Sequence, residues 1–116
     1  NQNTLVVITS ISGNTTETMT VLDSAKKSDY NIIAFSNGGR IKDFCTKHKV
    51  EYRQIPMYHS PRSSFPSFLY SMLKVLQPII PIKKEDISES LNELEILQKR
   101  ISSNNLTLAN PSMDLA

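Results

Sequence analysis

A chain of 116 residues is one domain or part of one, and its 39% hydrophobic and 21% charged residues, three glycines and six prolines exclude collagen-like, disordered and disulfide-scaffold classes. Thirteen Lys and Arg against eleven Asp and Glu leave a net charge of +2, too small a surplus to imply a nucleic-acid partner. The single cysteine, Cys45, suits a reducing compartment, and no apolar run reaches the ~18–20 residues of a membrane span, so a cytoplasmic chain without a membrane partner is expected.

Residues 4–11, TLVVITSI, form a short apolar, β-branched run, rich enough to predict a central parallel strand buried on both faces. It gives way to Ser-Gly-Asn-Thr, and residues 17–27 then place Met19, Leu22 and Ala25 at helical spacing. A second strand is predicted over 31–35, broken by Asn37-Gly38-Gly39, followed by a helix with Ile41, Phe44, Cys45 and His48 on one face. A weaker strand is predicted over 50–55.

Residues 61–77 carry Phe65, Phe68, Leu69, Met72, Leu73 and Leu76 at the spacing of a core-facing helix, opened by Pro61 and tolerating Pro66 in its first turn. After a proline-punctuated spacer, residues 85–101 place Ile87, Leu91, Leu94, Leu97 and Ile101 in a narrow stripe expected to pack on the sheet or on a partner. Alternating strands and helices predict an α/β fold around a short parallel sheet. The expected division is a partial domain over 1–82, a helix over 83–103 and a linker over 104–116. Because the chain starts directly on its most buried-looking strand, a fragment, or a chain whose missing half lies upstream, is expected.

The segment with chemical content is Ser10-Ile11-Ser12-Gly13-Asn14-Thr15-Thr16-Glu17-Thr18, at the hand-over from strand to helix. There the first amides of the helix lack intrahelical partners and carry the positive end of the dipole, which suits an anion. Gly13 admits close backbone approach, and Ser10, Ser12 and Thr15 put three hydroxyls around one point. Charge-assisted hydrogen bonds contribute about 1.5–3 kcal/mol each, so such a cradle can hold a phosphomonoester without a lysine. Asn14 and Glu17, three apart, read as a capping pair for the helix. The segment is neither a Walker loop nor a dinucleotide fingerprint, because the required Gly-Lys-Ser/Thr and the three spaced glycines are absent.

This stretch, following an apolar strand, resembles the phosphosugar-binding motif of sugar isomerase (SIS) domains. The later landmarks, Ser36-Asn37-Gly38-Gly39 and Pro61-Arg62-Ser63 running into Pro66 and Leu69, are similar to the bifunctional phosphoglucose/phosphomannose isomerases. The resemblance implies a partial SIS-type three-layer sandwich with a C-terminal helix, a cytoplasmic homodimer and a phosphorylated hexose as ligand. It implies aldose–ketose interconversion of glucose 6-phosphate or mannose 6-phosphate with fructose 6-phosphate, without cofactor or metal. It assigns Ser10, Ser12, Gly13, Asn14 and Thr15 to the phosphate and Arg62 to stabilising the enediolate. The base and the ring-opening histidine are implied to belong to a second domain, toward which the end of the chain leads. A non-catalytic phosphosugar sensor that regulates a partner is the alternative the same motif allows.

The remaining candidates are weaker. His59 and His48 read as a solvated loop residue and a helix-edge residue, and Cys45 as core packing. The basic run with Arg40, Lys42, Lys47, Lys49 and Arg53 reads as a solvated face. No His, Cys, Asp or Glu pair has metal-ligand spacing, so no metal is proposed.

Overall fold

The β-branched runs form strands in the computed structural model, which describes residues 3–107 and 110–112. Strand β1 spans Leu5–Ser10, β2 Asn31–Ser36 and β3 Glu51–Gln54. Between and after them lie helices α1 (Thr16–Lys27), α2 (Gly39–His48), α3 (Phe65–Leu76) and α4 (Lys84–Ile101). The three strands are parallel in the order β1-β2-β3, with Ile8 opposite Ala34, Ser10 opposite Ser36, and Ser36 opposite Gln54. The expected α/β class with a short parallel sheet is therefore the observed one, and it is compatible with a partial SIS-like arrangement.

Right-handed crossovers between sequential parallel strands put both connecting helices on one face of the sheet. The packing agrees: Leu22 and Ala25 of α1 and Ile41 and Cys45 of α2 share one cluster with Ile8, Ile32 and Ala34. Helix α1 stops where Asp29 turns into the left-handed region at φ 53°, and α2 stops in the same way at Lys49. Two basic residues close α1, Lys26 and Lys27, and Lys47 and His48 close α2, where cations complement the helix dipole. His48 stacks on Phe44 with ring centroids 4.3 Å apart, so it shares the helix's apolar edge as expected.

Three expectations are corrected. β1 is an edge strand rather than the central one: Leu5 and Val7 are 41% and 37% exposed, whereas five of the six residues of β2 are buried. An apolar run shows that a strand can be buried but not which position it takes in the order, and here β2 lies between two neighbours. Second, Pro61 does not open α3; a turn over residues 61–64 precedes the helix, which starts at Phe65 with Pro66 as its second residue. Third, Phe65, which begins the expected core stripe of α3, is exposed, and Phe68 is the buried residue of that helix.

The chain divides into two compact units, one ending at Lys74 and the other beginning at Val75. In the second unit Asp86 Oδ2 accepts the Lys83 N–H at 2.9 Å and fixes the start of α4. None of the α4 residues is buried, and Leu91, Leu94, Leu97 and Ile101 are exposed. Asn110 is buried and ties the following segment back by donating to the Ser102 and Asn105 carbonyls. Of the expected linker, residues 108, 109 and 113–116 lie outside the described residues. No helix among the described residues is long and apolar enough to cross a membrane.

Candidate functional site

In a parallel sheet the loops that follow β1, β2 and β3 all emerge at the carboxyl edge, the position where open α/β sheets bind ligands. The β1–α1 loop begins as a tight turn, because the Gly13 N–H donates both to the Ser10 carbonyl at 3.0 Å and to Ser10 Oγ at 3.2 Å. Ser10 Oγ in turn lies 2.9 Å from Thr15 Oγ1, so the first and last hydroxyls of the motif meet across the turn. Ser10 is 8% exposed while Thr15 is exposed, which makes the pair a recessed floor with an open rim. Ser12 is exposed, and its hydroxyl accepts the Asn14 N–H at 3.3 Å instead of joining that pair.

Thr15 is the N-cap of α1, yet its side chain makes no capping bond to the helix. Its hydroxyl points back to Ser10, which leaves the first-turn amides of α1 without a side-chain cap. The Asn14–Glu17 capping pair is therefore corrected. Asn14 Oδ1 reaches across to the next loop and accepts the Arg40 N–H at 3.0 Å, so it caps α2 rather than α1.

That bond is one of three by which the β2–α2 segment donates into the β1–α1 loop. The Asn37 N–H donates to the Ile11 carbonyl at 3.0 Å and the Ile41 N–H to the Gly13 carbonyl at 3.0 Å. The glycines permit the approach. A Cβ on Gly13 would lie 1.8 Å from the Gly38 carbonyl oxygen, and one on Gly39 would lie 2.6 Å from Asn14 Oδ1. Gly13 and Gly39 also have φ of 71° and 67°, where an L side chain is strained. In the sequence Gly38 and Gly39 mark the end of the second strand; the two glycine turns, each closing a strand, are the signal that the loops interlock.

The second loop is anchored below. Ser36 is fully buried, its hydroxyl donates to the Gly38 carbonyl at 2.8 Å, and the Tyr52 hydroxyl on β3 donates to the Ser36 carbonyl at 3.0 Å. Ser36 stands in the sequence only as the start of the Ser36-Asn37-Gly38-Gly39 landmark, and Tyr52 does not stand out beyond its strand. The third loop joins the second where the Met57 N–H donates to Asn37 Oδ1 at 3.3 Å.

Arg62 belongs to this third loop, on a turn braced by serines. Ser64 Oγ accepts the Tyr58 N–H at 2.8 Å, and Ser63 Oγ donates to the Tyr58 carbonyl at 2.6 Å. Arg62 itself is exposed, and its guanidinium has no hydrogen-bond or ion-pair partner among the described residues. No bond joins it to the β1–α1 loop; the two share the carboxyl edge. His59 lies in the same loop with φ 52° and is exposed.

Elsewhere, burial pushes the Cys45 thiol up to about 11, which keeps it protonated and fits core packing. A depression of about 360 Å³ at the end of α4, lined by Gln98, Lys99, Ser102, Asn104 and Asn105, contains none of the expected site residues. Among the described residues no group of three or more His, Cys, Asp or Glu could hold a metal ion.

No protein-family model matches the chain. Over 99 residues, 84% of its length, the chain is 35% identical to a bifunctional phosphoglucose/phosphomannose isomerase of Caldicellulosiruptor bescii. It spans 29% of that protein, so what it shares with an isomerase is a minority of the isomerase's length.

Proposed function

We propose that the chain binds a phosphorylated hexose at the β1–α1 loop, as the phosphosugar-holding part of an aldose–ketose isomerase that interconverts glucose 6-phosphate or mannose 6-phosphate with fructose 6-phosphate. The observation that carries this reading is the back-turned Thr15. A threonine used only as a helix cap turns its hydroxyl onto the helix, whereas this one pairs with Ser10 and leaves the amides of α1 open to an anion. The similarity to a bifunctional phosphoglucose/phosphomannose isomerase supports the substrate class.

In this reading the phosphoryl oxygens accept from the α1 amides and from Ser10, Ser12 and Thr15, and they fix one end of the sugar. Gly13 and Asn14 shape the loop. Moving a proton between adjacent carbons builds negative charge on the sugar oxygens, and Arg62, without a partner among the described residues, stabilises that charge electrostatically. A base and a ring-opening acid must come from residues outside this chain. The reading also takes the working protein to be a cytoplasmic homodimer that needs no cofactor.

The test has two parts. The purified chain is expected to bind glucose 6-phosphate weakly and to convert none of it; isomerisation of fructose 6-phosphate by the chain alone would overturn the assignment of base and acid elsewhere. In a full-length isomerase carrying these residues, Arg62→Lys should cut kcat strongly, because an ammonium cannot reproduce the planar fork. A full-length protein without turnover, in which Arg62→Lys costs binding affinity alone, would favour a sensor over an enzyme.

A further inference from the structure

We infer that the anion site extends over two loops and takes its cation from the second: Arg40 supplies the counter-charge to the phosphoryl group. This rests on the reading of the β1–α1 loop as a phosphosugar site. That loop contains no cation between Ser10 and Thr15, and the first charged residue after it is Glu17, an acid in the first turn of α1. Hydroxyls and amides alone therefore face a group that carries nearly two negative charges above pH ~6.

Three observations single out Arg40. Its backbone N–H is held 3.0 Å from Asn14 Oδ1, so the residue is fixed against the anion loop. It is the second residue of α2, and Cα–Cβ bonds tilt toward the amino end of a helix, here the end that meets the β1–α1 loop. Finally, its guanidinium is exposed and has no partner among the described residues.

The other cations of the same basic run are committed or remote. Arg53 pairs with Glu51 at 2.6 Å, and Lys42 donates to Gln54 Oε1 at 3.2 Å. Lys47 lies in the last turn of α2 and Lys49 just beyond it, at the opposite end of the helix. The bond to Asn14 uses the Arg40 backbone rather than its side chain, so substituting the side chain leaves the interlocked loops in place.

The experiment is a calorimetric titration of the 116-residue chain with glucose 6-phosphate at low and moderate salt. Arg40→Gln is expected to weaken binding about fivefold or more and to flatten its salt dependence, with an unchanged melting temperature. Arg40→Glu should weaken it further, and Arg53→Gln should leave it unaltered. Saturable binding by the wild type with equal affinity and salt slope in both Arg40 variants overturns this inference and leaves the loop reading standing. A wild type that does not distinguish glucose 6-phosphate from glucose overturns both.

Discussion

Of the three glycines, Gly13 carries the sharpest steric demand. With φ at 71° and the Gly38 carbonyl oxygen 1.8 Å from where a Cβ would be, Gly13→Ala must push the two loops apart. Strain of this kind costs a few kcal/mol, and we expect Gly13→Ala to lower unfolding free energy by about 3 kcal/mol in a urea titration. Asn14→Ala tests the neighbouring contact more gently. Loss of a side-chain cap costs about 1 kcal/mol, and amide exchange at Arg40, the bonded N–H, should quicken selectively. Exchange unchanged at Arg40 would contradict the role of Asn14 as the cap of α2. The hydroxyls are recognisable in the sequence as a surplus over capping needs, but their individual partners are not. Ser10 and Thr15 meet only because the turn at Gly13 folds the loop back, while Ser12 lies on the rim, and one-dimensional spacing does not distinguish these outcomes.

Among the elements, α2 tells most about pH. Cys45 on its inner face has a thiol raised from 9.0 to about 11 by burial. The folded state therefore holds that proton more tightly than the unfolded chain does, so the contribution to stability is intact below pH 9 and disappears as pH rises toward 11. Native Cys45 should resist iodoacetamide at pH 8 and react at once in denaturant; rapid native labelling would contradict its burial. On α4, the leucines that periodicity marked as a packing stripe are exposed, Leu94 at 42%. Leu94→Ser should accordingly change the stability of the chain by less than about 0.5 kcal/mol. The stripe exemplifies what periodicity provides and what it omits: a helix with one apolar face is legible, but the surface that would cover it is not. The strands show the same limit. Apolar, β-branched runs marked the first two strands and a weaker pattern the third, each boundary within one residue, yet β1 read as central and stands at the edge, because strand order depends on long-range pairing that composition does not record.

At the scale of the whole chain, parallel strand order does the organising. It brings three loops to one edge of the sheet, and bonds from Asn37, Arg40 and Ile41 fasten the second loop to the first. The class of the fold and the place of the candidate site were legible from the strand–turn–helix alternation and the Ser-x-Ser-Gly-Asn-Thr segment. The interlock was not, since it joins residues 26 or more positions apart, and two of its three bonds run between backbone groups that every sequence possesses. The decisive measurement is binding of glucose 6-phosphate, against glucose as the uncharged control, to the wild-type chain and to a Ser10→Ala, Thr15→Ala double variant. The account predicts saturable binding of the phosphate ester by the wild type, none of glucose, and at least a tenfold loss in the double variant, as expected when two charge-assisted hydrogen bonds are removed. Equal affinity for the ester in wild type and double variant, or equal response to ester and sugar, would contradict it.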